Sequence, residues 1–340
     1  MKLENHNKRT ILITGATGFL GSRIVEYFAG SGEFDHLIAT GRKFSSNNRV
    51  DHSKVKYVLG DLSDRSFVES LFLQNISVVV NCASLSSPWG EEEAFYSANV
   101  KTQEHLIAMS EVADVERFVY ISTPGIYFNF QDAMGLVEDS PLPQKMVNAY
   151  AETKWKAECL LRKSNLPFVI LRPRGLIGRG DTVIMPRLVR ACEEKRLKMV
   201  GDGRNVVDLT SVLNMVQAVE LAIKTPHVNE SYNISNGEPV NLWDSIFSVL
   251  EAIGIPKPTK RIPYKALLWI AGLLEFKARV WGGREPVLTK YSVGVLATSF
   301  VFDIRKAREK LGYRPTQTTA EAMNEFVQWY LAKQHGRSKV

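Results

Sequence analysis

Three cysteines, Cys82, Cys159 and Cys192, are all that 340 residues contain. They show no metal-ligand spacing, and no metal site is expected from them. An odd number of thiols in a chain with no visible secretory signal excludes a disulfide scaffold and points to reduced thiols in a cytoplasmic setting. Residues 1–8 are polar and no apolar core follows them, so they do not read as a leader. A long apolar run is also missing. The most lipid-like stretch, residues 266–276, is interrupted by Glu275 and falls short of the roughly 20 apolar residues that a transmembrane helix needs. It reads as a buried or half-buried helix, with two other readings open: a wall of a hydrophobic substrate pocket, or a helix lying on a membrane surface. There is no internal repeat or low-complexity tract. No basic stripe carries the interleaved aromatics of a nucleic-acid module, so no nucleic-acid partner is expected. The formal charge is +7, with basic residues gathered in 187–198 and 257–265. These read as solvated helix faces, or else as attraction for an anionic cofactor, substrate or membrane surface.

What is present is an ordinary globular composition, 45% hydrophobic and 23% charged, in a length that suits one large domain or two interlocked ones. The first half alternates short β-rich runs (10–14, 37–40, 55–59, 78–82, 118–122, 168–171) with helical patterns (20–28, 66–73, 94–112, 149–163). Alternation of this kind predicts βαβ units and a parallel sheet. Continuous apolar runs such as Val78-Val-Val suit strands covered on both faces. After Arg172 glycines punctuate a loop-rich region with helices near 185–194 and 212–224. A strand at 232–235 is expected to rejoin the sheet, and the rest is mostly helical, ending in 320–332. The expected fold is therefore α/β: a Rossmann-type, doubly wound parallel sheet with a smaller, mainly helical C-terminal substrate lobe. The division is 1–173 for the dinucleotide-binding part, with sheet-completing segments near 205–240, and 174–204 plus 241–335 for the lobe.

Two motifs carry the chemistry. The first is the loop Gly15-Ala-Thr-Gly-Phe-Leu-Gly21 after the first strand. Its three glycines, Gly15, Gly18 and Gly21, suit a tight turn, a close backbone approach to a pyrophosphate and a helix packed close to the sheet. Thr17, Phe19 and Leu20 complete this candidate cofactor cradle. After the second strand, where an acid would favour NAD(H), stand Thr40-Gly41-Arg42-Lys43. Arg42 can stack on adenine or pair with a 2′-phosphate, so NADP(H) is favoured and NAD(H) stays possible. Asp61, followed by Leu62, either accepts from the adenine amine or caps a helix. Cys82 and Ala83, after Asn81, are small residues against which a cofactor can lie. The second motif is Tyr150-Ala-Glu-Thr-Lys154, whose two ends lie one helical turn apart on one face. A free tyrosine titrates near about 10, and a neighbouring ammonium and a bound oxidised nicotinamide both favour its phenolate. Tyr150 can then exchange a proton with a substrate oxygen, and Thr123 or Ser122, at the carboxyl end of the fifth strand, can donate to the same oxygen.

These motifs, with Leu171-Arg-Pro-Arg-Gly175 and Phe302-Asp-Ile-Arg305, resemble the extended short-chain dehydrogenase/reductase family nearly end to end. The resemblance implies a catalytic set of Thr123, Tyr150 and Lys154, with Lys154 also on the nicotinamide ribose. It places Asn99 in the helix before the fifth strand and Pro173 beside the nicotinamide, and it implies a homodimer formed through the helices at 94–112 and 149–163. Within the family the chain looks closest to the 3β-hydroxysteroid dehydrogenase-like branch, and in particular to bacterial 2-alkyl-3-ketoacid reductases, through Ser84-Leu-Ser-Ser-Pro-Trp-Gly90, Leu171-Arg-Pro-Arg-Gly175 and Gly283-Arg-Glu-Pro286. The expected activity is NADPH-dependent reduction of the 3-keto group of a hydrophobic 2-alkyl-3-keto acid. Ser84, Trp89, Ser122 and Arg174 are candidate substrate contacts; Trp89, Phe128, Phe130, Met134, Leu267, Leu268, Trp269, Leu273, Leu274 and Trp281 are candidate apolar walls, and Arg174 or Arg179 a partner for the carboxylate. Competing readings are a steroid dehydrogenase, a nucleotide-sugar epimerase and a non-catalytic NADP(H)-sensing protein. Pro124 and Gly125 stand where sugar dehydratases of the family carry an acid pair.

Overall fold

Seven strands form the central sheet: β1 (Thr10–Thr14), β2 (His36–Gly41), β3 (Val55–Leu59), β4 (Val78–Asn81), β5 (Arg117–Ile121), β6 (Phe168–Pro173) and β7 (Glu230–Ile234). Their order in space is β7-β6-β5-β4-β1-β2-β3, and every pair is parallel. The chain winds outward from β1 to the edge at β3 and then returns to β4 on the other side of β1. That reversal is the topological switch point of a doubly wound sheet, where ligands bind beyond the strand carboxyl ends. The computed structural model describes residues 9–44, 49–282 and 285–337. The polar segment 1–8 and the Gly283-Arg284 pair singled out above lie outside the described residues.

The helices are α1 (Phe19–Ser31), α2 (Arg65–Phe72), α3 (Thr102–Val112), α4 (Ala149–Arg162), α5 (Met185–Glu193), α6 (Val212–Lys224), α7 (Leu242–Ala252), α8 (Tyr264–Trp281), α9 (Lys290–Ala297), α10 (Arg305–Lys310) and α11 (Thr319–Arg337). All five residues of β1 are buried because helices cover both sides of it. Ile11 and Ile13 pack with α1 and α6, while Leu12 points the other way among α2, α3 and α4, the two-residue period of a strand. The stretch expected as one helix from residue 94 comes in three parts: Glu92–Phe95, a π-helical turn Tyr96–Lys101, and α3.

The second lobe has its own core, with Met185, Trp243, Leu267, Val293 and Phe326 contributed by α5, α7, α8, α9 and α11. Beside these helices stands a small sheet of Ala133–Leu136, Val206–Val207, Val240–Asn241 and Phe300–Phe302. Strands of two to four residues carry too little alternation to show in a sequence.

Candidate active site

The β1–α1 turn is built around contacts that only glycine allows. Gly15 has φ +63°, and a Cβ there would lie 2.8 Å from the Cys82 carbonyl carbon and oxygen. A Cβ on Gly21 would sit 2.2 Å from the Gly15 oxygen, so α1 starts hard against the turn. No side chain caps α1 and no acid stands in its first turn. The N–H groups there are left for an anion, with the positive end of the helix dipole behind them. Phe19 and Leu20, in that first turn, are buried. Ala16 N–H donates to Thr40 O at 2.9 Å, and a Cβ on Gly41 would meet Thr17 Oγ1, which brings the turn against the end of β2. This cradle fits a dinucleotide pyrophosphate.

The neighbouring strand end is fixed by side chains. Thr14 Oγ1 donates to Asn81 Oδ1 at 2.6 Å, Asn81 Nδ2 donates to Gln103 Oε1 at 2.6 Å, and Ala83 N–H donates to both Thr14 Oγ1 and Asn81 Oδ1 at 3.1 Å. Cys82 is thereby held beside Gly15. Burial pushes its thiol up to about 12 despite Lys154, so it is a neutral spacer and no nucleophile. At the rim, Arg42 and Lys43 are exposed directly after β2. Asp61 accepts from Ser63 N–H and Oγ at 2.9 and 2.8 Å, and these bonds, with desolvation opposed and Arg42 helping, hold its carboxyl below the usual range. It is not the helix cap considered above: α2 is capped by Asp64, which accepts from Ser66 N–H at 2.9 Å. Leu62 is buried behind this turn, and Pro173 is buried at the end of β6 opposite Ile234.

Helix α4 opens on Asn148, whose Oδ1 accepts from Ala151 N–H at 2.8 Å, and it presents Tyr150, Lys154 and Glu158 in successive turns. Lys154 is 1% exposed, donates to Ile121 O at 2.5 Å and lies 4.1 Å from the Tyr120 ring centre. Burial pulls its ammonium down to about 7, against the upward pull of Glu158 and Cys82. Tyr150 stands among hydroxyls. Burial pushes its phenol above the ordinary value, while the hydroxyls of Ser86, Thr123 and Ser84, which come within its reach, pull the other way. With the protein's own groups alone the phenol is therefore protonated, because the cost of a buried anion exceeds what these hydroxyls return.

Thr123 is buried and its Oγ1 accepts from Gly125 N–H at 3.1 Å, leaving its own proton to donate. Asn99, in the π turn, braces the site instead of facing it. Its Oδ1 accepts from Leu85 N–H and Ser84 Oγ at 2.8 and 3.1 Å, and its Nδ2 donates to Thr153 Oγ1 at 3.0 Å, so the Ser84 loop is tied to α4. Ser122 is also diverted from the substrate oxygen. It donates to Glu158 Oε1 at 2.5 Å, inside a buried cluster in which Arg172 donates to Glu158 through Nε (2.9 Å) and Nη2 (2.5 Å) and also binds the Tyr127 hydroxyl.

On the substrate side, Arg174 follows β6. Its guanidinium stacks 4.9 Å from the Phe300 ring centre, and its Nε is buried without a hydrogen-bond partner. Burial lowers its pKa, with Tyr291 and Asp208 opposing. Tyr291, on α9, feels both Arg174 and Tyr150 and packs on Phe128 at 5.6 Å. Neither Tyr291 nor Ser86 was singled out from the sequence; the one lies about 140 residues from Tyr150, and the other sits in a run of serines with no distinguishing neighbour. Arg179 is elsewhere, paired on the surface with Glu26 at 2.7 Å and with Glu325 at 3.6 Å. Phe128 is buried and Phe130 partly so, but Met134, Trp269, Leu273 and Trp281 point to solvent and are not inward walls. Trp89 lies under the Arg279 guanidinium, 5.5 Å from ring centre to carbon.

A sequence model of the NAD dependent epimerase/dehydratase family matches residues 11–235. The chain is 29% identical to a 2-alkyl-3-oxoalkanoate reductase of Shewanella oneidensis, over 92% of this chain and 84% of that protein. It is 28% identical to the decarboxylating sterol-4-alpha-carboxylate 3-dehydrogenase of Mus musculus, over 93% and 89%. The epimerase Mth375 of Methanothermobacter thermautotrophicus has the same fold, with a TM-score of 0.80 at 18% identity over 98% of this chain and 95% of that one.

Proposed function

Because this chain belongs to the NAD dependent epimerase/dehydratase family and is an NAD(P)-dependent oxidoreductase of the extended short-chain type, we propose that it interconverts a hydrophobic 3-oxo acid and its 3-hydroxy acid, using NADP(H). The observation that carries this reading is the convergence on Tyr291 of Tyr150, among three hydroxyls, and Arg174, whose Nε is buried without a hydrogen-bond partner. The two named relatives act on compounds of one pattern: a carboxylate on the carbon next to the one that bears the oxygen. A 2-alkyl-3-oxoalkanoate and a sterol 4α-carboxylate worked on at C3 both have it. In this reading Arg174 takes that carboxylate while the oxygen lies at Tyr150.

Gly15, Gly18 and Gly21, with the first turn of α1, hold the pyrophosphate. Arg42 meets the 2′-phosphate, Asp61 the adenine end, and Lys154 the nicotinamide ribose. A nicotinamide bound there supplies the hydride, or accepts it in reverse. In reduction, Tyr150 gives its phenolic proton to the substrate oxygen as C3 gains the hydride, and ketone, hydride and proton balance as the alcohol. Thr123 donates a second hydrogen bond to the same oxygen. Ser84 and Ser86 keep the phenol oriented.

The test runs in the oxidative direction, with NADP+ and a 2-alkyl-3-hydroxy acid carrying two long chains, beside the matching alcohol without a carboxyl group. Turnover of the acid well above the alcohol is the expected result. Arg174→Met should raise KM for the acid about tenfold to a hundredfold, the worth of a charged hydrogen-bonded pair, and leave the alcohol unchanged. Equal turnover of both in wild type would end the acid reading. A 3-hydroxysterol 4-carboxylate in the same assay separates the steroid alternative. Arg42→Ala should weaken NADPH about tenfold or more and NADH little, since the guanidinium meets only the extra phosphate; equal loss for both cofactors would show that Arg42 serves adenine instead.

A further inference from the structure

Helix α8 is apolar on both sides. Leu267 and Ala271 anchor it in the lobe core. Trp269, Leu273, Phe276 and Val280 follow at spacings of four, three and four, which is one helical stripe, and all face outward. Trp269 is 69% exposed, Phe276 65% and Trp281 at the end of the helix 74%. A contiguous apolar face of this kind on a globular surface marks a contact site.

We propose that α8 docks this protein on an anionic lipid bilayer, lying in the interface plane. Charge complementarity selects the occupant. Residues 257–290 contain eight basic side chains and two acidic ones. Glu275 is engaged with the backbone N–H of Lys290 at 2.7 Å, and Glu285 faces Arg187 at 3.5 Å. Lys265 and Lys277 flank the stripe, and Lys260 and Arg261 stand just before the helix. A second copy of this face would set these cations against one another, whereas phospholipid headgroups offer the opposite sign. Tryptophans near both ends of an apolar stripe with a basic rim are the composition of an interfacial helix. No helix among the described residues is long and apolar enough to cross a membrane, so α8 rests on the surface. Its far end reaches Trp89 through Arg279, and α9 packs along it, so the docked face lies next to the loop that carries Ser84 and Ser86.

The experiment is co-sedimentation of the full chain with phosphatidylcholine vesicles and with vesicles also containing phosphatidylglycerol, at low and high salt. Binding to the anionic vesicles that weakens with salt is expected. Trp269→Ser with Phe276→Ser should reduce it about tenfold or more, from the apolar area withdrawn from lipid. Lys265→Glu with Lys277→Glu should reduce it as well, while dinucleotide binding stays intact in both variants. The proposal is overturned if anionic vesicles fail to pellet the protein at low salt, or if neither variant changes pelleting. It is equally overturned if sedimentation velocity shows an oligomer that the Trp269/Phe276 variant dissociates without affecting the vesicles; the stripe would then be a contact between copies.

Discussion

Tyr150→Phe should slow turnover about a hundredfold to ten-thousandfold, the usual worth of a positioned proton donor. Dinucleotide affinity should stay within a few-fold, because the ring and its packing remain. The direction of the pKa shift gives the reaction an asymmetry. Burial keeps the phenol protonated at neutral pH, which suits reduction, where the proton is given away. Oxidation begins with the phenol losing that proton, so the oxidative rate should climb as pH rises above neutrality while the reductive rate does not. Stopped-flow measurement of NADPH formation and consumption across pH checks both statements. A variant that keeps more than a tenth of wild-type turnover would remove Tyr150 from the chemistry.

The second large effect is on folding. Glu158 is fully buried and accepts from Ser122, from Arg172 twice, and lies 3.7 Å from Arg162. Glu158→Ala leaves the Arg172 guanidinium, itself 2% exposed, without its counter-charge, and should cost about 3–5 kcal/mol, the range for breaking a buried pair. Replacing both partners by apolar residues of similar volume should recover much of that loss, because the desolvation of two charges disappears together with their attraction. Chemical denaturation of the two variants decides the matter; a single-variant loss below about 1 kcal/mol would mean that water replaces the carboxylate. Since Glu158 stands one turn beyond Lys154 on α4, the single variant should also lower turnover even where it remains folded.

The central sheet and its phosphate turn were legible because their chemistry is local. Val78-Val-Val announces a strand covered twice, and Gly15 and Gly21 stand where any Cβ would strike backbone. The Tyr150–Lys154 spacing is likewise a property of one helix. Features made by distant segments left no such trace. Tyr291 comes to Arg174 and Tyr150 only through the packing of α9. Ser122 looked as able to face a substrate as Thr123 does, and only the position of Glu158 on α4 diverts it. Asp61 and Asp64 are both good caps, and the choice between them depends on where α2 begins, a boundary that short-range preference fixes poorly. For α8 the composition showed a greasy helix, but which side faces the lobe follows from packing against α9 and the second core. The protonated state of Tyr150 required knowing how deep the phenol lies.

The π turn at Tyr96–Lys101 has a consequence for how this site can change over generations. A π turn is bonded i→i+5 and is wider than the α-helix around it. Phe95 is buried before it and Leu106 after it. Asn99, which ties the Ser84 loop to α4, therefore sits in a stretch whose length could be altered without re-threading α3 on the sheet. A change of length in this turn would therefore act first on the loop over the reactive tyrosine.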